Sequence, residues 1–144
     1  MIQYSIATIN DIDKLKALTD QMLSHTVLGV ASKAKIRALV TSPRTQVTLA
    51  WHGTDLIGFS CGMLHESVFN SVLRVSDIGL YVAPEHRKGV TAAVLIERLE
   101  AWAMSQGANQ IWLGQTTGEN PRVVERFYNQ LGYKTQGINA VKEL

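Results

Sequence analysis

The chain of 144 residues holds little of what staples, spans or coats. It has one cysteine, Cys61, so no disulfide forms within it, and a reducing compartment is the expectation. Cys61 sits in an apolar, strand-like run, where a small buried hydrophobe and a reactive thiol both fit. Long apolar runs are missing, and none approaches the length of a membrane span. The opening residues MIQYSIAT lack the charged-then-apolar pattern of an export signal. We therefore expect a cytoplasmic protein without a membrane partner. Excess charge of one sign is missing too. Lys and Arg number 14 and Asp and Glu 12, a net charge of +2, which argues against nucleic acid as a partner. Neither G-x-x-x-x-G-K-[ST] nor a strand-linked G-x-G-x-x-G occurs, which excludes the common nucleotide loops. Repeats, low-complexity tracts and linkers are absent as well, so residues 1–144 read as one domain, long enough for a continuous core.

What is present is a globular mixture, 46% hydrophobic and 18% charged. Ile2 to Ile6 alternates as a strand does. Thr8 and Asp11 have capping-box spacing, and Ile12, Leu15, Thr19, Met22 and Leu23 follow at helical spacing to about His25. The run from Val27 to Val30, with Gly29, breaks that helix. Ser32 caps a second one carrying Ile36, Leu39 and Val40, which Pro43 closes. From Gln46 the period becomes that of strands: Val47, Leu49 and Trp51, a turn at His52–Asp55, then Leu56 to Glu66. Gly58 and Gly62 inside the second strand indicate a bulge or a close approach. After a turn at Ser67–Ser71, Leu73 to Val82 is a long strand.

That strand stops at Ala83-Pro84 and feeds the basic loop His86-Arg87-Lys88-Gly89. A helix follows, with Val94, Leu95, Leu99, Trp102 and Ala103 apolar and Gly107 as its stop. A strand, a cationic loop and a helix N-terminus make an anion-site design, because first-turn N–H groups are unpaired and the dipole is positive there. Gly89 and the small Thr91, Ala92 and Ala93 would let phosphates approach the backbone. A solvated turn that merely ends a strand has the same residues. Ile111-Trp112-Leu113 is wholly apolar, the pattern of a strand buried on both faces. Gly118-Glu119-Asn120-Pro121 opens a last helix, with Asn120 as N-cap, carrying Val124, Phe127, Tyr128 and Leu131 and ending at Gly132. Tyr133 to Leu144 reads as at least one more strand. The order β-α-α-β-β-β-α-β-α-β is an α+β fold around a mixed, mostly antiparallel sheet.

The run LYVAPEHRKGVTAAVLIERLEAWAMSQGA resembles the acetyl-CoA-binding core of the GNAT superfamily of N-acetyltransferases. There a strand leads through a V-x-P-x-x-R-like turn into a loop of pattern [Q/R]-x-x-G-x-[G/A] that opens a helix. Arg126-Phe127-Tyr128-Asn129-Gln130-Leu131-Gly132-Tyr133 is similar to the family's F-Y-x-x-x-G-[FY] segment, and the element order matches along the whole chain. The resemblance implies a sheet of about six or seven strands with about four helices. It implies acetyl-CoA as co-substrate, no metal, and transfer of acetyl to a primary amine by direct attack, the acceptor being a small amine, an amino acid or a protein amine. It implies a strand splayed by a bulge at Leu80, Tyr81 and Val82 for the pantetheine arm, and a pyrophosphate loop of Arg87, Lys88, Gly89, Val90, Thr91 and Ala92. Asn120 and Phe127 would add cofactor contacts, with helix capping and core packing as their plain alternatives.

Tyr128 aligns with the tyrosine that serves many members as general acid, and a phenol's pKa suits a thiolate. A packed core ring is the alternative. Glu66 and Asp77 are the candidate bases, Glu66 preferred, and a water chain fed by His65 or Glu85 is a further option. Asp77 is expected on one face with Gly79 and Tyr81. The acceptor region would include His25, Thr26, Arg37, Trp51 and Glu66, with too few carboxylates to suit a polycation. A homodimer is a family habit, and the last strands could supply the contact. His86 stands where the family has Arg or Gln, and Thr91 where it has Gly or Ala. These departures motivate a second reading, a non-catalytic acyl-CoA-binding or regulatory module.

Overall fold

A computed structural model describes residues 1–26, 28–114 and 120–144. Five strands lie side by side in chain order: β1 (Ile2–Ile6), β2 (Thr45–His52), β3 (Asp55–Glu66), β4 (Leu73–Val82) and β5 (Gln110–Trp112). Neighbours from β1 to β4 are antiparallel, and β5 joins β4 in parallel. Four α-helices complete the fold: α1 (Ile12–Leu23), α2 (Lys33–Thr41), α3 (Thr91–Ser105) and α4 (Pro121–Gln130). The α+β architecture and element order are those expected up to α4, and five strands are described where six or seven were expected.

Local chemistry sets the helix starts. The Thr8 N–H donates to the Asp11 carboxylate at 2.8 Å, and the Thr8 hydroxyl accepts from the Asn10 N–H at 3.3 Å, closing a short turn at Ile9–Asp11 that leads into α1. Ser32 accepts from the Lys35 N–H at the head of α2, and Asn120 from the Arg122 N–H at the head of α4. The break expected at Val27, and Gly118 and Glu119 before α4, lie outside the described residues.

Two cores lie on the two faces of the sheet. Ile12, Leu15, Leu18 and Met22 of α1 and Ile36 of α2 pack on Val47, Leu49, Phe59, Cys61 and Tyr81. On the opposite face Leu95 of α3 packs on Ala50, Ile57 and Val82, and Leu99 and Ala103 pack on Val75 with Ile111 beside them. Cys61 is free and buried. Burial, and then the charge of Asp77, push its thiol up to about 12, so it serves as a hydrophobe.

Two expectations give way. Residues 133–144 carry no strand and are exposed beyond Tyr133. Gly137 at φ +84° breaks the extended run, and the exposed Ile138, Val141 and Leu144 fall three apart rather than alternating. Nor is β5 buried on both faces. Ile111 packs under α3, but Trp112 is 45% exposed, because α1 and α2 cover the middle of the sheet and stop short of β5.

The glycine signal in β3 has a concrete cause at Gly62. A Cβ there would lie 2.4 Å from Leu99 Cδ1 and 2.9 Å from Val75 Cγ1, and Leu99 is 2% exposed with nowhere to retreat. Gly62→Ala should therefore lower stability by about 1–3 kcal/mol through overpacking. Urea unfolding checks this, and an unchanged midpoint would mean that α3 sits more loosely on the sheet.

Candidate active site

The site begins where two strands part. β5 pairs with β4 only at Arg74–Gln110, Val75–Ile111 and Ser76–Trp112. From Asp77 to Val82 the β4 edge has no strand beside it on that side among the described residues. A bulge accompanies the parting. Cys61 faces Gly79 and Gly62 faces Asp77, so Ile78 has no partner on β3. An extra residue bends a strand and raises its twist, turning the rest of β4 away from β5. The bulge thus falls at Ile78, ahead of the Leu80–Val82 end where it was expected. It also breaks the alternation that would have put Asp77 with Gly79 and Tyr81. Gly79 abuts the Phe59 ring and Tyr81 joins the α1–α2 core, whereas Asp77 keeps the face of Val75, beside β5 and α4.

At the parting, the backbone of Gly114 stands between two titratable side chains. Its carbonyl accepts from the Tyr128 hydroxyl at 2.9 Å, and its N–H donates to the Asp77 carboxylate. The Gly79 N–H donates to the same carboxylate at 2.8 Å. Burial pushes Asp77 up to about 6 against the pull of these two backbone bonds. Burial first, and then the charge of Asp77, push the Tyr128 phenol up to about 12. Tyr128 is half-buried, flanked by the Phe127 ring at 5.9 Å and the Tyr133 ring at 6.1 Å between centroids. Tyr133 is tied back to α4 by its N–H, which donates to the Tyr128 carbonyl at 3.0 Å. Burial and the charge of Glu100 push its phenol up as well.

The loop after β4 ends at a helix start with no side-chain cap. Val90 occupies the N-cap of α3 and supplies none, in contrast to Ser32 and Asn120, so first-turn donors of α3 are left for solvent or a ligand. Thr91 is buried at 4% exposure in that first turn, and Ala92 packs near Leu95. A Cβ on Gly89 would meet nothing. Lys88, Gly89 and Val90 line a groove of about 510 Å³ that reaches Ile2 and Tyr4 of β1. Arg87 instead turns inward, its Nε donating to the Val82 carbonyl at 2.7 Å and its guanidinium 5.3 Å from the Tyr81 ring centre. The two cations of the loop therefore face different surroundings. His86 sits with its ring 5.5 Å from that of His52. Leu80 and Val82 belong to the core under α3, and their backbone, not their side chains, faces the parting.

Not every proposed residue is gathered here. Asp77 and Tyr128 meet across Gly114, with Phe127 adjoining. Glu66 ends β3 opposite Leu73, four residues beyond the partner of Asp77, which is about 13 Å of strand, and it is exposed. Asn120 uses its side-chain oxygen as the α4 cap. Trp51 donates to the Ser5 hydroxyl at 2.9 Å and lies under Lys14 on the β1 side of the sheet, away from the parting. Sequence reading missed Gly114, whose part is played by its peptide group. The available signal was a glycine directly after a short apolar strand.

The Acetyltransferase (GNAT) family model matches residues 16–133. The chain is 30% identical over 126 residues to the uncharacterized N-acetyltransferase Rv2669 of Mycobacterium tuberculosis, covering 88% of this chain and 76% of that one. Among solved structures it resembles the ribosomal-protein-alanine N-acetyltransferase of Brucella melitensis (TM-score 0.76, 15% identity, 99% of each chain). It also resembles the acetyltransferase AAC(6')-Iy, solved with a CoA-S-monomethyl-acetylneamine bisubstrate analog (TM-score 0.79, 18% identity, 100% of this chain and 99% of that one). At those identities the structural likeness speaks for the fold, and it agrees with the family match: this chain belongs to the GNAT family of acetyltransferases.

Proposed function

We propose that the protein transfers the acetyl group of acetyl-CoA to a primary amine by direct attack, with Asp77 as proton acceptor and Tyr128 as proton donor. The observation that carries this reading is that Asp77 and Tyr128 meet at Gly114, whose N–H serves the carboxylate and whose carbonyl accepts from the phenol, where β4 leaves β5. The open β4 edge offers backbone groups to a pantetheine arm. The uncapped α3 N-terminus, with Lys88 and Gly89 beside it, suits the pyrophosphate. Acetyl-CoA supplies the activated carbonyl. The amine nitrogen forms its bond to that carbon, the C–S bond breaks, and the electron pair leaves on sulfur.

Asp77 takes the proton lost by the amine. A carboxylate raised to about 6 is ionised at neutral pH yet a stronger base than an ordinary aspartate. Tyr128 gives its proton to the departing thiolate. A phenol raised to about 12 is fully protonated at neutral pH, and protonation of Asp77 in the preceding step removes the neighbouring charge that contributes to that rise. Asp77 is favoured over Glu66 because it adjoins the donor and is desolvated. A binding module without chemistry has no need of this pair.

Tyr128→Phe should lower kcat about 100-fold while calorimetry shows acetyl-CoA binding unchanged. Turnover within twofold of wild type, followed by thiol release, would remove Tyr128 from the mechanism, whereas acetyl-CoA binding by wild type with no thiol release on any amine would favour the module. The pH profile gives a second test. The rate constant kcat/KM should rise with pH through a limb near 6, and Asp77→Asn should lose both the limb and most of the rate.

The same residue links stability to pH. Asp77 holds its proton more tightly folded than unfolded, so its contribution is fully present below pH 4 and is lost as pH rises through 6. The loss is on the order of 2–3 kcal/mol. Between pH 4 and 7, unfolding free energies of wild type should fall relative to Asp77→Asn. Parallel curves would mean that the carboxylate is better solvated than the fold implies.

A further inference from the structure

The parting of β4 and β5 has a second side. Val75 packs under α3, so its neighbours Arg74 and Ser76 point to the opposite face, the one that α1 and α2 cover only in part. The cover ends near Cys61. Beyond it the face carries Met63 and His65 of β3, Arg74 and Ser76 of β4, and Trp112 of β5. These line up by register, His65 against Arg74, Met63 against Ser76 and Ser76 against Trp112. The patch adjoins the unpaired Ile78, which is 44% exposed.

Within the patch the polar groups are spoken for, with one exception. His65 Nε2 and the Ser76 hydroxyl are hydrogen-bonded at 2.7 Å. The Trp112 indole N–H donates to the Gln110 side chain at 3.0 Å. Arg74 lays its guanidinium 4.7 Å from the centre of the Trp112 ring, yet its Nε is buried with no hydrogen-bond partner. Among the described residues the ion pairs are Lys16–Asp20 and Lys33–Asp13, so no carboxylate neutralises Arg74. A desolvated guanidinium donor without an acceptor costs free energy. The group that relieves it best is a planar anion that accepts two N–H bonds at once.

Resting on the acetyl-transfer reading above, we infer that Arg74 is a specificity-determining residue of the acceptor site and that the acceptor is an amine that also carries a carboxylate. Arg74 precedes Asp77 by three residues, about 10 Å along the strand. An amine reaching the parting from this face would set its anionic group within reach of the guanidinium, with the Trp112 ring as an apolar wall. One guanidinium matches a single-charged carboxylate, whereas a phosphate dianion calls for a second cation. Arg44, which reaches β3 beside His65, already spends its Nε on the Leu64 carbonyl at 3.2 Å.

Titration calorimetry with unacetylated CoA present measures acceptor binding without turnover. The probes are 5-aminopentanoate against 5-aminopentanamide, and glycylglycine against its amide. Wild type should bind at least one carboxylate about tenfold tighter than its amide. Arg74→Gln should erase the difference at unchanged CoA affinity, and Arg74→Lys should restore part of it. Equal affinity within a pair, or no carboxylate bound while CoA binds, would overturn the inference on wild type alone, whatever the variants do. So would a preference that survives in Arg74→Gln, or tighter binding of phosphoethanolamine than of either carboxylate. Failure of CoA itself to bind is a different result. It would sink the acetyl-transfer reading, and the same pairs titrated without CoA would still test Arg74.

Discussion

Everything around the site depends on one geometric constraint, that β5 accompanies β4 for three residues and then leaves it. Parallel pairing at Arg74, Val75 and Ser76 anchors β5. The bulge at Ile78 bends β4 out of line for its last residues. A fully paired sheet would satisfy the Leu80–Val82 backbone internally and leave nothing for a ligand. The parted sheet leaves donors and acceptors that must be met by solvent or substrate. Asp77 lies on the anchored side of the bulge and the unpaired edge on the other, so a single extra residue separates the buried carboxylate from the open backbone. Gly62 allows Leu99 and Val75 to meet beneath α3 just opposite Asp77, so tight packing fixes the strand at the point where it turns.

Much of this was legible in the sequence because it rests on short-range signals. The caps at Thr8, Ser32 and Asn120 each depend on residues three or fewer apart, and each forms. The strand, the loop from His86 to Gly89 and the following helix are contiguous, so their order could be read directly. The bulge was legible in kind, through Gly58 and Gly62, but not in place. Its position depends on which β3 residue faces which β4 residue, a long-range register that no local pattern encodes. Simple alternation puts Asp77 with Gly79 and Tyr81 for that reason, and the same missing register hides the distance between Glu66 and Asp77. The exposure of Trp112 was equally hidden, since it reflects how far α1 and α2 extend over the sheet. The apolar tail shows the opposite failure. Its hydrophobic content suggested a strand, yet three-residue spacing and Gly137 at φ +84° do not make one.

The fate of the basic loop shows how topology redistributes charge. Read as a string, Arg87 and Lys88 form one cationic cluster. Folded, they straddle the chain as it leaves the sheet, so Arg87 pairs with the Val82 carbonyl and the Tyr81 ring while Lys88 borders the groove toward β1. Arg87 thereby braces the end of β4 against the loop. The anion-attracting character of the loop then rests on Lys88 and the uncapped α3 N-terminus, a backbone feature indifferent to the departures at His86 and Thr91.

Burial acts on Asp77 and Tyr128 in the same direction and leaves them in different charge states at neutral pH. Desolvation disfavours the charged form of either group. For the aspartate this moves ionisation from strongly acidic pH toward neutrality, so the charged form survives but binds protons more readily. For the tyrosine, which begins well above neutrality, the same penalty and the adjacent negative charge keep the phenol protonated at neutral pH. Gly114 supports the difference through backbone groups of two adjoining peptides, a donor toward Asp77 and an acceptor toward Tyr128. Its N–H favours a carboxylate at Asp77, and its carbonyl favours a hydroxyl at Tyr128. A side chain in that position could change protonation. Backbone groups cannot, so the difference between the buried carboxylate and the buried phenol is supported by the fold itself rather than by another titratable residue.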